Sequence, residues 1–162
     1  MERRELLSLG GIAAIAGAFA AASESSAQEG AHAGGSGKKV IRIYTDADGN
    51  AHIQDLPIVT KPGKTLRTLP AHVTELTYAE FTSSTVEDWH RAPGRQFSIS
   101  LSGEIEVEVS GGKKHLIHTG DIVFLEDVQG KGHITRILTP VTNVFIRVAD
   151  GFDVVAWAKG EA

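Results

Sequence analysis

The sequence predicts an all-β fold, a sandwich or small barrel of eight or more short strands, and three observations carry that prediction. Short runs of β-branched and apolar residues recur at intervals of roughly ten residues from Lys39 to Trp157. Turn signals such as "DADGN", "SGG" and "TGD" separate them. Beyond the apolar N-terminal run, no stretch carries a helical period.

The N-terminal run reads as an address. "MERRELLSLGGIAAIAGAFAAASESSAQEG" pairs Arg3 with Arg4, continues apolar from Leu6 to Ala22, and ends in small residues. "SSA" at Ser25 to Ala27 suits a signal peptidase cutting after Ala27, so residues 1–27 are expected to be a signal peptide. The alternative, a membrane anchor, has against it a run that is short and rich in Ala and Gly. The paired arginines resemble a twin-arginine signal, which exports folded proteins and suits one that loads a metal first. The expected location is the periplasm or outside the cell. Residues 28–38, "QEGAHAGGSGK", have little to bury and read as a flexible linker in which His32 needs no role. Residues 39–162 are then a single β-barrel domain.

Along that domain "VIRIY" turns at Asp48-Gly49-Asn50 and returns as "AHIQD". "VTELTYAEF", "QFSISL", "EIEVEV", "KKHLIH", "IVFLED", "HITRIL", "NVFIRV" and "VVAW" follow as further strands. In "EIEVEV" Ile105, Val107 and Val109 take one side and Glu104, Glu106 and Glu108 the other, so one face is buried and one is wet. In "QFSISL" the polar set Gln96, Ser98 and Ser100 is small. Bulk water would favour longer charged side chains, so this face is expected to line a cavity. Ile105, Val107, Ile122 and Phe124 are expected in or near the core.

Composition narrows the function. A formal charge of −4 and a pI near 6.0 leave no basic surplus for nucleic acid or an anionic membrane. With no cysteine, thiolate chemistry, disulfides and iron–sulfur ligation are excluded. The expected partner is a small molecule, with a homodimer as a further possibility.

Two stretches together resemble the cupin superfamily, whose fold is a double-stranded β-helix, a small jelly-roll-like barrel. Gln96, "FSISLS" and Gly103 match the second half of its first motif, G-x5-H-x-H-x3,4-E-x6-G, with Gln96 at the glutamate position. His90 takes the first histidine position and Ala92 the second. Gly120 and "DIVFL" open the second motif, G-x5-P-x-G-x2-H-x3-N, where Glu126 replaces proline and "DVQGKGH" brings His133 late. The resemblance spans roughly Thr85 to Val148.

It implies a divalent ion, Fe, Mn, Ni, Cu or Zn, held in the barrel mouth by His90, Gln96 and His133. Asp88, Glu126 and Asp127 are nearby carboxylates that would restore the lost charge. Trp89, Arg95, Ser98 and Lys131 are the expected substrate-binding residues, with Arg91 on the same rim; the cations would receive an anionic group. Three readings stay open: metal-assisted oxidoreductase, dioxygenase or lyase chemistry through His90 and His133, a metal-free lyase, isomerase or cyclase with histidine as acid/base, and a barrel that only binds a ligand.

Overall fold

The structure is a computed structural model that describes residues 38–60 and 68–161. The expected signal peptide, its cleavage site and His32 of the linker lie outside the described residues. Among the described residues ten strands are present: β1 (Lys39–Thr45), β2 (Ala51–Pro57), β3 (Val73–Phe81), β4 (Val86–His90), β5 (Gln96–Ser102), β6 (Ile105–Glu108), β7 (Lys114–Ile117), β8 (Ile122–Glu126), β9 (His133–Ile137) and β10 (Val141–Val148). One helix follows, α1 (Val154–Lys159).

The pairing is nested. β6 pairs with β7, β5 with β8, β4 with β9 and β3 with β10, each antiparallel, as in a long hairpin folded over on itself. β5 also pairs with β10 and β6 with β9, which closes two four-stranded sheets, β8-β5-β10-β3 and β4-β9-β6-β7. This is the jelly-roll order of a double-stranded β-helix. β1 then adds in parallel beside β8, and β2 pairs with β1, so the first sheet grows to six strands.

Alternation along the strands builds two cores. Between the sheets Ile41, Ile43, Ile105, Val107, Val123 and Ile137 pack together. On the outer face of the larger sheet Val40, Phe97 and Phe124 pack under α1 with Val154 and Trp157. Phe124 is fully buried in that outer layer, and Ile122 packs against the same layer, so neither shares the inter-sheet core of Ile105 and Val107. Residues 122, 124 and 126 share one face of β8 and residues 123 and 125 the other.

Two expectations are corrected. "VVAW" is not a strand, and the domain does contain a helix. Asp153 accepts hydrogen bonds from the Val155 and Ala156 backbone N–H groups at 2.9 and 3.0 Å, and Gly160 closes the helix in the left-handed conformation with φ of 73°. Val154, Trp157 and Ala158, spaced i, i+3, i+4, are its buried face. Capping and burial outweigh the strand preference of two adjacent valines. β4 adds a strand to those expected: "VEDWH" lacks alternation and forms a strand through pairing with β9.

Asp153→Ala is expected to cost about 1 kcal/mol of stability. The Ala156 N–H that Asp153 accepts holds its carboxyl below the ordinary aspartate value of 3.8. A depressed folded value means that the contribution is complete above 3.8 and is lost as pH falls through the folded value. Thermal melts of both proteins should differ at neutral pH and converge in acid; a constant difference would count against the cap.

Candidate functional site

The register of β4 against β9 sets His90 directly opposite His133. Their ring centroids are 4.4 Å apart with an interplanar angle of 58°. Gly132 makes this approach feasible: its φ is +76°, and a Cβ there would stand 1.9 Å from the His90 carbonyl oxygen. Any side chain at position 132 pushes the two strands apart.

The Nδ1 atom of His90 lies 2.9 Å from the Asp88 carbonyl oxygen and its Nε2 lies 3.5 Å from a Glu87 carboxylate oxygen. His133 is held more firmly. Its Nδ1 is 2.5 Å from Asp127 Oδ2, with the two side chains 4% and 0% exposed. A carboxylate accepts, so Nδ1–H donates, and Nε2 is the nitrogen left for the cavity that His133 lines. Asp127 follows directly on β8, and its other oxygen has no hydrogen-bond partner.

That cavity, about 370 Å³, opens between the two sheets. Polar groups from four strands gather on it: His90 and Glu87 from β4, His133 from β9, Gln96 from β5, and Arg147 from β10. Ile105, Val107, Val123 and Phe145 supply apolar wall. The small polar face of β5 is turned inward, with Gln96, Ser98 and Ser100 5%, 7% and 2% exposed. Asn143 donates from Nδ2 to Ser98 Oγ at 3.1 Å, and its Oδ1 has no partner.

His90, Gln96, His133 and Ser98 therefore share one cavity. The remaining residues singled out in the sequence do not line it. Trp89 and Lys131 line an adjoining, more open depression with Arg91 that shares His90, Ala92 and Pro93 with the cavity, and there the Lys131 ammonium sits 3.5 Å from the Trp89 ring centroid. Arg95 precedes Gln96 and points to the opposite face of β5, where it and Arg42 bind the buried Glu126 carboxylate. Arg95 is thus not on the rim, and Glu126 is occupied by two guanidinium groups. The Asp88 carboxylate accepts from the Trp89 N–H at 2.8 Å.

Arg147, Asn143, Glu87 and Glu75 also bring polar groups to the cavity, and the sequence did not single them out. Asp127 was noted only as a spare carboxylate. A signal for two of them existed: Asn143, Phe145 and Arg147 share one face of "NVFIRV" by strand alternation, with polar residues at both ends.

The donor set does not fit the ion that the resemblance implies. Two imidazoles and a neutral amide converge, the Glu87 carboxylate is turned to His90 Nε2 at 3.5 Å, position 92 is a buried alanine, and Asp127 is engaged with His133 Nδ1. Among the described residues no three His, Cys, Asp or Glu side chains are placed to hold a metal ion together.

No protein-family model matches the chain, and no curated protein matches it significantly. Its neighbours among solved structures include cupin-domain proteins. A cupin-2 domain containing protein from Shewanella frigidimarina is 12% identical, with a TM-score of 0.38 over 55% of this chain and 84% of that one. A cupin superfamily protein from Desulfitobacterium hafniense is 12% identical, with 0.38 over 57% and 98%. A predicted oxalate decarboxylase from Thermotoga maritima is 14% identical, with 0.37 over 69% and 95%. Likeness at this level carries nothing about the site, and the strand pairing by itself makes the chain an all-β double-stranded β-helix of jelly-roll order.

Proposed function

We propose that this chain is a small cupin whose inter-sheet cavity takes a small organic molecule and acts on it by general acid/base catalysis through His133. The observation that carries this reading is the buried Asp127–His133 pair facing a cavity. Asp127 fixes the tautomer with the proton on Nδ1, which leaves the Nε2 lone pair as a base. When Nε2 takes a proton from a carbon next to a carbonyl, the imidazolium is stabilised by the adjacent carboxylate. Lyase and isomerase reactions begin with this step. His90 packs beside the ring and limits its rotation.

Deuterium wash-in tests the reading without knowledge of the product. Small 2-oxo and 3-hydroxy acids incubated in D2O with the wild-type protein are expected to exchange C–H for C–D, read by proton NMR. His133→Asn should lose about 10²–10⁴ of that rate. Equal wash-in by both proteins, or none by either, leaves a ligand-binding barrel as the better account.

We also propose export by the twin-arginine route, on the strength of Arg3, Arg4 and the apolar run after them. Replacing both arginines by lysine should retain the protein in the cytoplasm with its N-terminus uncut. Unchanged export of that variant would refute the route.

A further inference from the structure

We infer that Arg147 is the anion clamp of the cavity and that its ligand carries a carboxylate; this rests on the reading that the cavity takes a small organic molecule. A guanidinium has five N–H donors. At Arg147 one charged partner is present, Glu75, at 3.1 Å from one terminal nitrogen. The Nε–H is buried and has no partner at all. An edge formed by Nε–H and a terminal N–H is the geometry that receives both oxygens of a carboxylate.

The surroundings keep that edge in place. Arg147 stands opposite Gln96 in the β5–β10 register, toward the end of β10 away from Asn143, and lines the same cavity as His90 and His133. Gly94, in the loop between β4 and β5, supplies the space: a Cβ there would come within 3.1 Å of Arg147 Nε. Beyond the guanidinium the wall becomes apolar at Phe145 and Phe81, whose rings meet edge-on at 6.4 Å. A ligand that fits this gradient has its carboxylate at Arg147 and its apolar body against the two phenylalanines. His133 lines the same cavity, so the clamp and the acid/base group would serve one ligand.

Benzoate is the probe, with neutral benzyl alcohol as its uncharged counterpart. Titration of the wild-type protein should shift the Arg147 Nε–H resonance with benzoate and leave it unmoved with benzyl alcohol. Arg147→Gln should weaken benzoate binding by roughly tenfold or more, and Arg147→Lys should recover only part of it, because a lysine keeps the charge and loses the fork. Glu75→Gln distinguishes a clamp from a mere ion-pair partner: it frees the guanidinium and should leave benzoate binding as tight or tighter. No shift with benzoate, equal binding of both probes, or a loss in Glu75→Gln matching that of Arg147→Gln overturns the inference. Benzoate binding is read without turnover, so a protein that binds benzoate but gives no wash-in fails the acid/base reading alone, and one that gives wash-in without binding benzoate fails the clamp alone.

Discussion

Asp127→Asn is expected to keep the fold and to lower the proton-transfer rate at His133 by about 10²–10⁴. The substitution is nearly isosteric, so packing around a fully buried side chain is preserved. What changes is the charge behind the ring. An amide does not stabilise the imidazolium that forms when Nε2 takes a proton, and an amide N–H turned toward Nδ1 would select the tautomer with the proton on the wrong nitrogen. Asp127→Ala removes the partner instead, leaving a buried Nδ1–H unpaired at a cost of about 1–3 kcal/mol. The two variants together separate chemistry from stability. Deuterium wash-in and thermal melts measure both, and an Asp127→Asn protein with the wild-type rate would show that the 2.5 Å contact only anchors the loop.

Phe124→Ala should be the most destabilising single truncation in the outer layer, by about 3–5 kcal/mol. The ring is 0% exposed and meets Phe97 at 4.8 Å and Phe152 at 5.7 Å between centroids. Phe97 and Phe152 in turn contact Trp157 of α1. Removing Phe124 opens a void at the centre of this aromatic group, which the rigid sheet beneath it does not fill. Typical domain stabilities are about 5–15 kcal/mol, so the loss is a large fraction of the total. Urea titration followed by tryptophan fluorescence reads it directly, since Trp157 reports on this layer. A loss below about 1 kcal/mol would show that the layer tolerates a hole.

How far the sequence reached is plain from a few residues. In "QFSISL" strict alternation fixed two faces, and the small polar set is turned inward because a cavity, and not bulk water, faces it. The same rule, applied one residue earlier, places Arg95 on the outside with Phe97, yet nearness in sequence to the motif had suggested the rim. Applied to "NVFIRV" it pairs Arg147 with Asn143 on one face. Both cases show that parity along a strand decides which cation faces the cavity.

The meeting of His90 with His133 was implied by the cupin resemblance and is made by the pairing of β4 with β9, whereas the strand pattern and the turns were set by local rules: period-two alternation and turn residues with positive φ. Those rules act over a few residues and are readable from a single chain. Tertiary structure alone decided that α1 covers the outer sheet, that Glu126 is neutralised by Arg42 and Arg95, and that Asp127 stands behind His133. The partners of these contacts are separated by 84, 31 and 6 residues for the three charged pairs. Arg42 meets Glu126 because β1 adds beside β8, Arg95 meets it because β5 pairs with β8, and Asp127 meets His133 across the connection from β8 to β9; burial then obliges each charge to find a partner.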